Sequence, residues 1–284
     1  MALRIYNNLH SNTAQKNLGR NNELLTRSLE RLSSGLRINR ATDDSAGLSI
    51  SGKLRADISA MGQAIRNTND GIALLNTAEG ALQEQSDIFI RMRELASQAA
   101  TGTVGSTERA TLNNEFNVLR AEVDRITAVA SFGSVNLLDG SLSTAAGVSS
   151  LVIQIGIGGS TNDRINLNQQ VDLTAMNSTA LGLDTLSISS VGGALSALTS
   201  IGSSIAIVAA GRGRLGAVQN RLSHSVNNLT TMEENIKAAE SQIRDADYSK
   251  EVSEFTKNQI LVQASTAALA QANLVPQSVL QLLA

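Results

Sequence analysis

The sequence predicts a mainly α fold: an elongated rod of long antiparallel helices with a terminal coiled coil and a small β-hairpin region. Three observations lead there. Between about Asp43 and Ala99 apolar residues recur in alternating steps of three and four, and as one helix that segment would run roughly 85 Å at about 1.5 Å per residue, longer than a compact domain of this mass is wide. The chain has only six aromatics, Tyr6, Phe89, Phe116, Phe132, Tyr248 and Phe255, so Leu, Ile, Val and Ala must do nearly all the apolar packing, which favours a thin cross-section. A single proline, Pro276, leaves long helices unbroken.

Taken in order, Leu18, Leu25, Leu29, Leu32 and Leu36 draw one stripe along a first helix that Gly35 and Asn39 interrupt. Thr42, with Asp43 and Asp44 behind it, reads as an N-cap and acidic first turn opening a second helix. Its stripe is Leu54, Ile58, Met61, Ile65, Thr68, Ile72, Leu75, Glu79, Leu82, Ser86, Phe89, Arg93 and Ala96. A third helix, with Leu112, Phe116, Leu119, Val123 and Ile126, is bounded by glycines and returns antiparallel on the second. From Ser141 to Gly211 Ser, Thr, Asn and Gly dominate, making this the least helical region. Within it, alternation over Ser150–Gly156 and Arg164–Asn168 predicts a β-hairpin. Helical periodicity returns at Leu215, Val218, Leu222, Val226, Leu229, Met232, Ile236 and Ile243, and a last stripe runs Tyr248, Val252, Phe255, Val262 and Leu269. The terminal stripes have no compact partner in the middle of the chain, so each end is expected to pair with the other end and with neighbouring subunits.

Several function classes are excluded. Charge is balanced, 23 − 25 = −2, and no basic run stands out, so nucleic acid is not an expected partner. Hydrophobic residues make up 42% and charged residues 17%, too apolar for a disordered chain. The longest uncharged apolar run, Ile205–Ala210, is far too short to span a bilayer, so no membrane is expected. There is no cysteine, and Met1–Asn8 has no apolar core of a signal peptide, so any export needs another route. Gly211-Arg-Gly-Arg-Leu-Gly216 fits G-x-G-x-x-G, with Glu233 about twenty residues on. The uninterrupted helical period after it removes the second strand that a dinucleotide site requires, and the motif instead opens the C-terminal helix. His10 and His224 stand apart from any partner at metal-ligand spacing. No catalytic residue, cofactor or metal is expected.

Arg31-Leu-Ser-Ser-Gly-Leu-Arg-Ile-Asn39 followed by Thr42-Asp-Asp-Ser-Ala-Gly-Leu48 resembles the N-terminal signature of bacterial flagellin. Arg66–Ile72, Thr77–Leu82 and Phe132–Gly140 look like the rest of that family's N-terminal region, and Ile243–Ser249, Gln259–Leu261 and Leu269–Gln277 are similar to its C-terminal block. The resemblance implies a secreted, extracellular structural subunit that self-assembles into the helical filament for swimming, in a minimal form with little or no outer domain. It also implies segments 1–40 with 246–284 as an inner-core coiled coil, 41–140 with 185–245 as an outer-core helical rod, and 141–184 as a hairpin and loop region. Leu18, Leu25, Leu29, Leu32, Val252, Phe255, Val262 and Leu269 are its expected assembly residues. Implied partners are further copies of the chain, a flagellar secretion chaperone at the C-terminal helix, the type III export apparatus, and filament cap and hook-junction proteins. A vertebrate innate flagellin receptor would read Arg91, Leu95 and Glu115, although Ile90 departs from the polar residue usual there. The hook-filament junction protein of the same family is the alternative. A soluble coiled-coil adaptor would explain the stripes but not the ordered blocks.

Overall fold

The structure, a computed structural model, describes residues 8–144 and 151–283. The element order is α1 (Leu9–Ser34), α2 (Ser45–Ala100), α3 (Ser106–Val129), β1 (Ser131–Phe132), β2 (Val135–Asn136), β3 (Val152–Gln154), β4 (Arg164–Asn166), α4 (Leu167–Val171), α5 (Val191–Arg244) and α6 (Tyr248–Leu283). The chain divides into two compact units at 58/59 and 233/234, inside α2 and α5, whereas the segments expected from the sequence break at 40 and 245.

The terminal unit is built on α1 and α6. Asn8 caps α1 by accepting from Ser11 N–H at 3.1 Å, and Gly35, at φ 71°, ends it by donating to the Arg31 carbonyl at 2.8 Å. The two linkers then pair as a short antiparallel bridge. Arg37 N–H donates to the Arg244 carbonyl (2.7 Å) and Ala246 N–H to the Gly35 carbonyl (3.0 Å), with Leu36 opposite Asp245. Asp43 accepts from the backbone of Asn39 and Arg40. Asp44, rather than Thr42, caps α2, accepting from Gly47 N–H at 2.8 Å. A Cβ on Gly47 would lie 2.5 Å from the Asp44 carboxylate and 2.8 Å from the Ile38 methyl, so a side chain there would displace both.

In the central unit the α2 seam is Met61, Ala64, Thr68, Gly71, Leu75, Ala78, Leu82, Gln85, Phe89, Met92, Ala96 and Ala99, every one buried and spaced three and four apart. The α5 seam is Ala194, Ala197, Ile201, Ser204, Val208, Gly211, Leu215, Val218 and Leu222, with the same spacing. Half of the stripe expected on α2 is therefore displaced by one residue: Ile65, Ile72, Glu79, Ser86 and Arg93 flank the seam, and smaller or more polar neighbours occupy it. Small residues at Ala64, Gly71, Ala78 and Ala99 let the helices approach closely there. α5 starts at Val191, twenty residues before Gly211. The expected non-helical stretch is thus shorter than its Ser- and Gly-rich composition suggested, since Ala and Leu at seam positions outweigh weak helix formers.

Phe116, Val123 and Thr127 of α3 close this core, with Leu173, Met176, Leu183 and Ile188 from the loops. β3 and β4 pair antiparallel with Ile153 opposite Ile165, both facing inward. Ile153 sits on Gly71, where a Cβ would be 2.2 Å from its methyl. Ser150, the expected start of that strand, lies outside the described residues, as does Tyr6.

Candidate functional site

Along α1 the residues turned toward α6 are Ser11, Ala14, Leu18, Asn21, Leu25, Ser28 and Leu32, and along α6 they are Glu251, Phe255, Asn258, Val262, Ser265, Leu269 and Ala272. Both sets step by three and four, the geometry of a coiled-coil seam. Polar pairs join the two helices: Arg31 to Glu251 at 3.1 Å, Asn258 to Ser28 at 3.2 Å, Asn21 to Ser265 at 2.7 Å, Ser11 to Asn273 at 2.7 Å, and Asn8 to the Ala272 carbonyl at 2.8 Å. The antiparallel order of these pairs sets Leu25 level with Val262 and Leu18 level with Leu269 in the layers between.

Six of the eight expected assembly residues, Leu18, Leu25, Leu32, Phe255, Val262 and Leu269, lie half-buried on this seam. Leu29 and Val252 do not: they are 55% and 39% exposed, because Ser28 and Glu251, one residue earlier, take the seam positions. Among the described residues of α1 and α6 the fully buried ones are Ser28, Glu251 and Asn258, all polar. Large apolar side chains line the outer faces instead, with Leu9 at 75%, Ile260 at 59% and Leu274 at 52% exposure. The polar half of the seam lies outside the expected leucine stripe, and its signal in the sequence is the 3-4 spacing of Asn and Ser between the leucines.

In the central unit Arg91 donates to Glu115 at 2.7 Å and to Glu94 at 3.1 Å, and these carboxylates hold its guanidinium above the usual arginine value. Leu95, expected beside them, is buried in the core. The motif at Gly211 lies in mid-helix and opens nothing. Gly211 is buried where a Cβ would be 2.9 Å from a Leu173 methyl, Arg212 reaches Glu79 (3.7 Å), and Arg214 donates to the Asp172 carbonyl (3.0 Å). The motif therefore clamps the loop segment onto α5. His224 lines an open groove of about 390 Å³ with Met61, Ile155, Asp163, Arg221 and Met232. Among the described residues there is no cluster of three or more metal-ligating side chains. By length and composition α5 holds a window of mean hydropathy 1.7, apolar enough to cross a bilayer. Uninterrupted runs concealed it because Ser and Gly break them, and 28% of that window is buried inside the protein.

Residues 5–143 match the family described as bacterial flagellin N-terminal helical region, and residues 198–283 match bacterial flagellin C-terminal helical region. Flagellin of Halalkalibacterium halodurans is 46% identical over 280 residues, covering 98% of this chain and 99% of that one. Flagellin of Bacillus subtilis is 42% identical over 316 residues, covering 99% and 100%. The flagellar filament 30.7 kDa core protein of Treponema maltophilum is 40% identical over 287 residues, covering 98% and 99%.

Proposed function

Since the chain belongs to the bacterial flagellin family, and so is a structural subunit of the extracellular flagellar filament and not an enzyme, we propose that its terminal helices gain most of their folding energy from neighbouring subunits. One observation carries this reading: on α1 and α6 the buried positions are polar, while Leu9, Leu29, Ile260 and Leu274 face outward. A hairpin with so little apolar burial does not offset the entropy of ordering its own residues, about 1–2 kcal/mol each for the backbone alone. Covering the outer faces with further copies supplies the missing area, and a head-to-tail contact that does not close generates an open helix. None of the near full-length relatives named above is a hook-filament junction protein, so that alternative has no support among them.

The test is seeded growth. Purified chain added to short filament seeds should elongate them into long uniform filaments under negative-stain electron microscopy. Ile260→Ser, off the α1–α6 seam, should cut the growth rate at least several-fold while the subunit's melting temperature stays near that of the parent. Undiminished growth would remove the outer faces as the assembly surface.

The family's other expected partners can be placed on the same chain. In the cell a chaperone would cover the apolar side of α6, and a largely unordered terminus would pass through a narrow type III export channel. Cap and hook-junction proteins would take the place of a neighbouring copy at the two filament ends. Contact with a vertebrate innate receptor would fall on Arg91 and Glu115, with Leu95 holding their helices together from within. Arg91→Ala should weaken receptor signalling by the monomer, and unchanged signalling would refute that reading.

A further inference from the structure

We propose that the polar pairs between α1 and α6 are a register lock, specifying the one alignment in which the terminal hairpin enters the filament. The inference rests on the assembly reading above. Ser28 with Asn258 and Asn21 with Ser265 occupy alternate layers of the seam, and Arg31 with Glu251 ties one end. Asn258, Ser28 and Glu251 are buried, so each needs its partner: an unpaired buried polar group costs its full desolvation.

Slips of the pairing have different penalties from those of a uniform leucine seam. A slip of three or four residues sets Asn21 against Val262 or Leu269 and Asn258 against Leu25 or Leu32. A slip of one whole heptad in one direction sets Asn21 against Ala272 and carries Asn258 past the end of α1. In the other direction it sets Ser265 against Ala14 and Glu251 against Ser28. The first heptad slip also carries Glu251 well away from Arg31, whereas the second sets Asn21 opposite Asn258, leaves Arg31 within reach of Glu251, and is opposed instead by the linker bridge of Gly35 with Ala246 and Arg37 with Arg244. A leucine at each of these positions would tolerate every slip, because apolar layers are interchangeable. Polar seam residues specify register at a cost in stability, and an outward apolar face then presents only one pattern to the next copy.

The chain has no cysteine, so introduced disulfides report register without background. Leu25→Cys with Val262→Cys samples one layer, and Leu25→Cys with Leu269→Cys samples the first of the two heptad slips. Assembled parent filaments should form the first disulfide at least several-fold more than the second. With Asn21, Ser28, Arg31, Glu251, Asn258 and Ser265 all replaced by Leu, the two yields should converge within about twofold. Retention of the parent's preference in that variant would overturn the lock. Neither disulfide forming in parent filaments would instead overturn the hairpin packing on which the inference rests. If the leucine variant does not assemble, the exchange Ser28→Asn with Asn258→Ser decides: it should keep the parent's growth and disulfide preference, whereas Asn258→Leu alone should lose both. An exchange as damaging as the single change would show that these side chains do not act as a pair, and would overturn the proposal.

Discussion

Gly211 and Gly213 stand two residues apart in one motif yet meet opposite surroundings. A side chain at 211 enters the packing of Leu173 and Met176, whereas 213 is exposed with nothing within 4 Å of a Cβ. Gly213→Ala should therefore raise subunit stability by about 0.5–1 kcal/mol through helix propensity alone. Gly211→Leu should lower it by about 1–3 kcal/mol through overpacking. Urea unfolding of both variants measures the contrast. Asp172 offers a pH reading at the same scale. The Thr144 backbone N–H, and then the Thr144 hydroxyl, hold its carboxyl below the usual carboxylate value. A folded-state value below the unfolded one gives stability that is complete above the unfolded value and is lost as pH falls through the folded one. Central-unit stability should accordingly decline below about pH 4, and less steeply in Asp172→Asn, which also tolerates the residue's φ of 43°. Identical acid profiles would show that this contact contributes nothing.

At the scale of elements, long helices and a hairpin were legible because a 3-4 period and a two-residue alternation survive in any composition. The seams were legible by half. The expected α2 stripe shares Met61, Thr68, Leu75, Leu82, Phe89 and Ala96 with the buried seam, but has Ile65, Ile72 and Glu79 where the chain buries Ala64, Gly71 and Ala78. The same one-residue displacement put Leu29 for Ser28 and Val252 for Glu251. Size misleads here: a close helix pair buries what is small, and a polar layer buries what is paired, so the larger apolar neighbour is left on the flank. Ala78→Leu should then destabilise the central unit by about 1–3 kcal/mol and Leu82→Ala by about 2–5 kcal/mol. Glu79→Ala, on the flank, should cost less than either. Thermal or urea unfolding of the three separates seam from flank. The register lock was invisible for a related reason, since Asn and Ser between leucines look like interruptions until their partners on the other helix are known.

For the whole molecule, the two compact units predict separable losses. Removing Val252–Ala284 strips α1 of its seam partner but takes no residue from the central unit. That truncation should abolish filament growth while cooperative unfolding of the central unit persists in calorimetry. Filaments from it would contradict the assembly reading, and loss of the cooperative transition would contradict the division into units.

The seams also set an order in time. Gln219 bonds Asn76 across 143 positions of chain, and Ser11 meets Asn273 across 262. The contacts between such distant helices form only after a long loop closes, which makes them late relative to local pairs such as Arg91 with Glu115. Whichever end leads, the central core waits until most of the chain is free, and the terminal hairpin forms last because its partners are the first and final segments to appear. A polypeptide arranged this way closes its fold only when its first and last segments are both present.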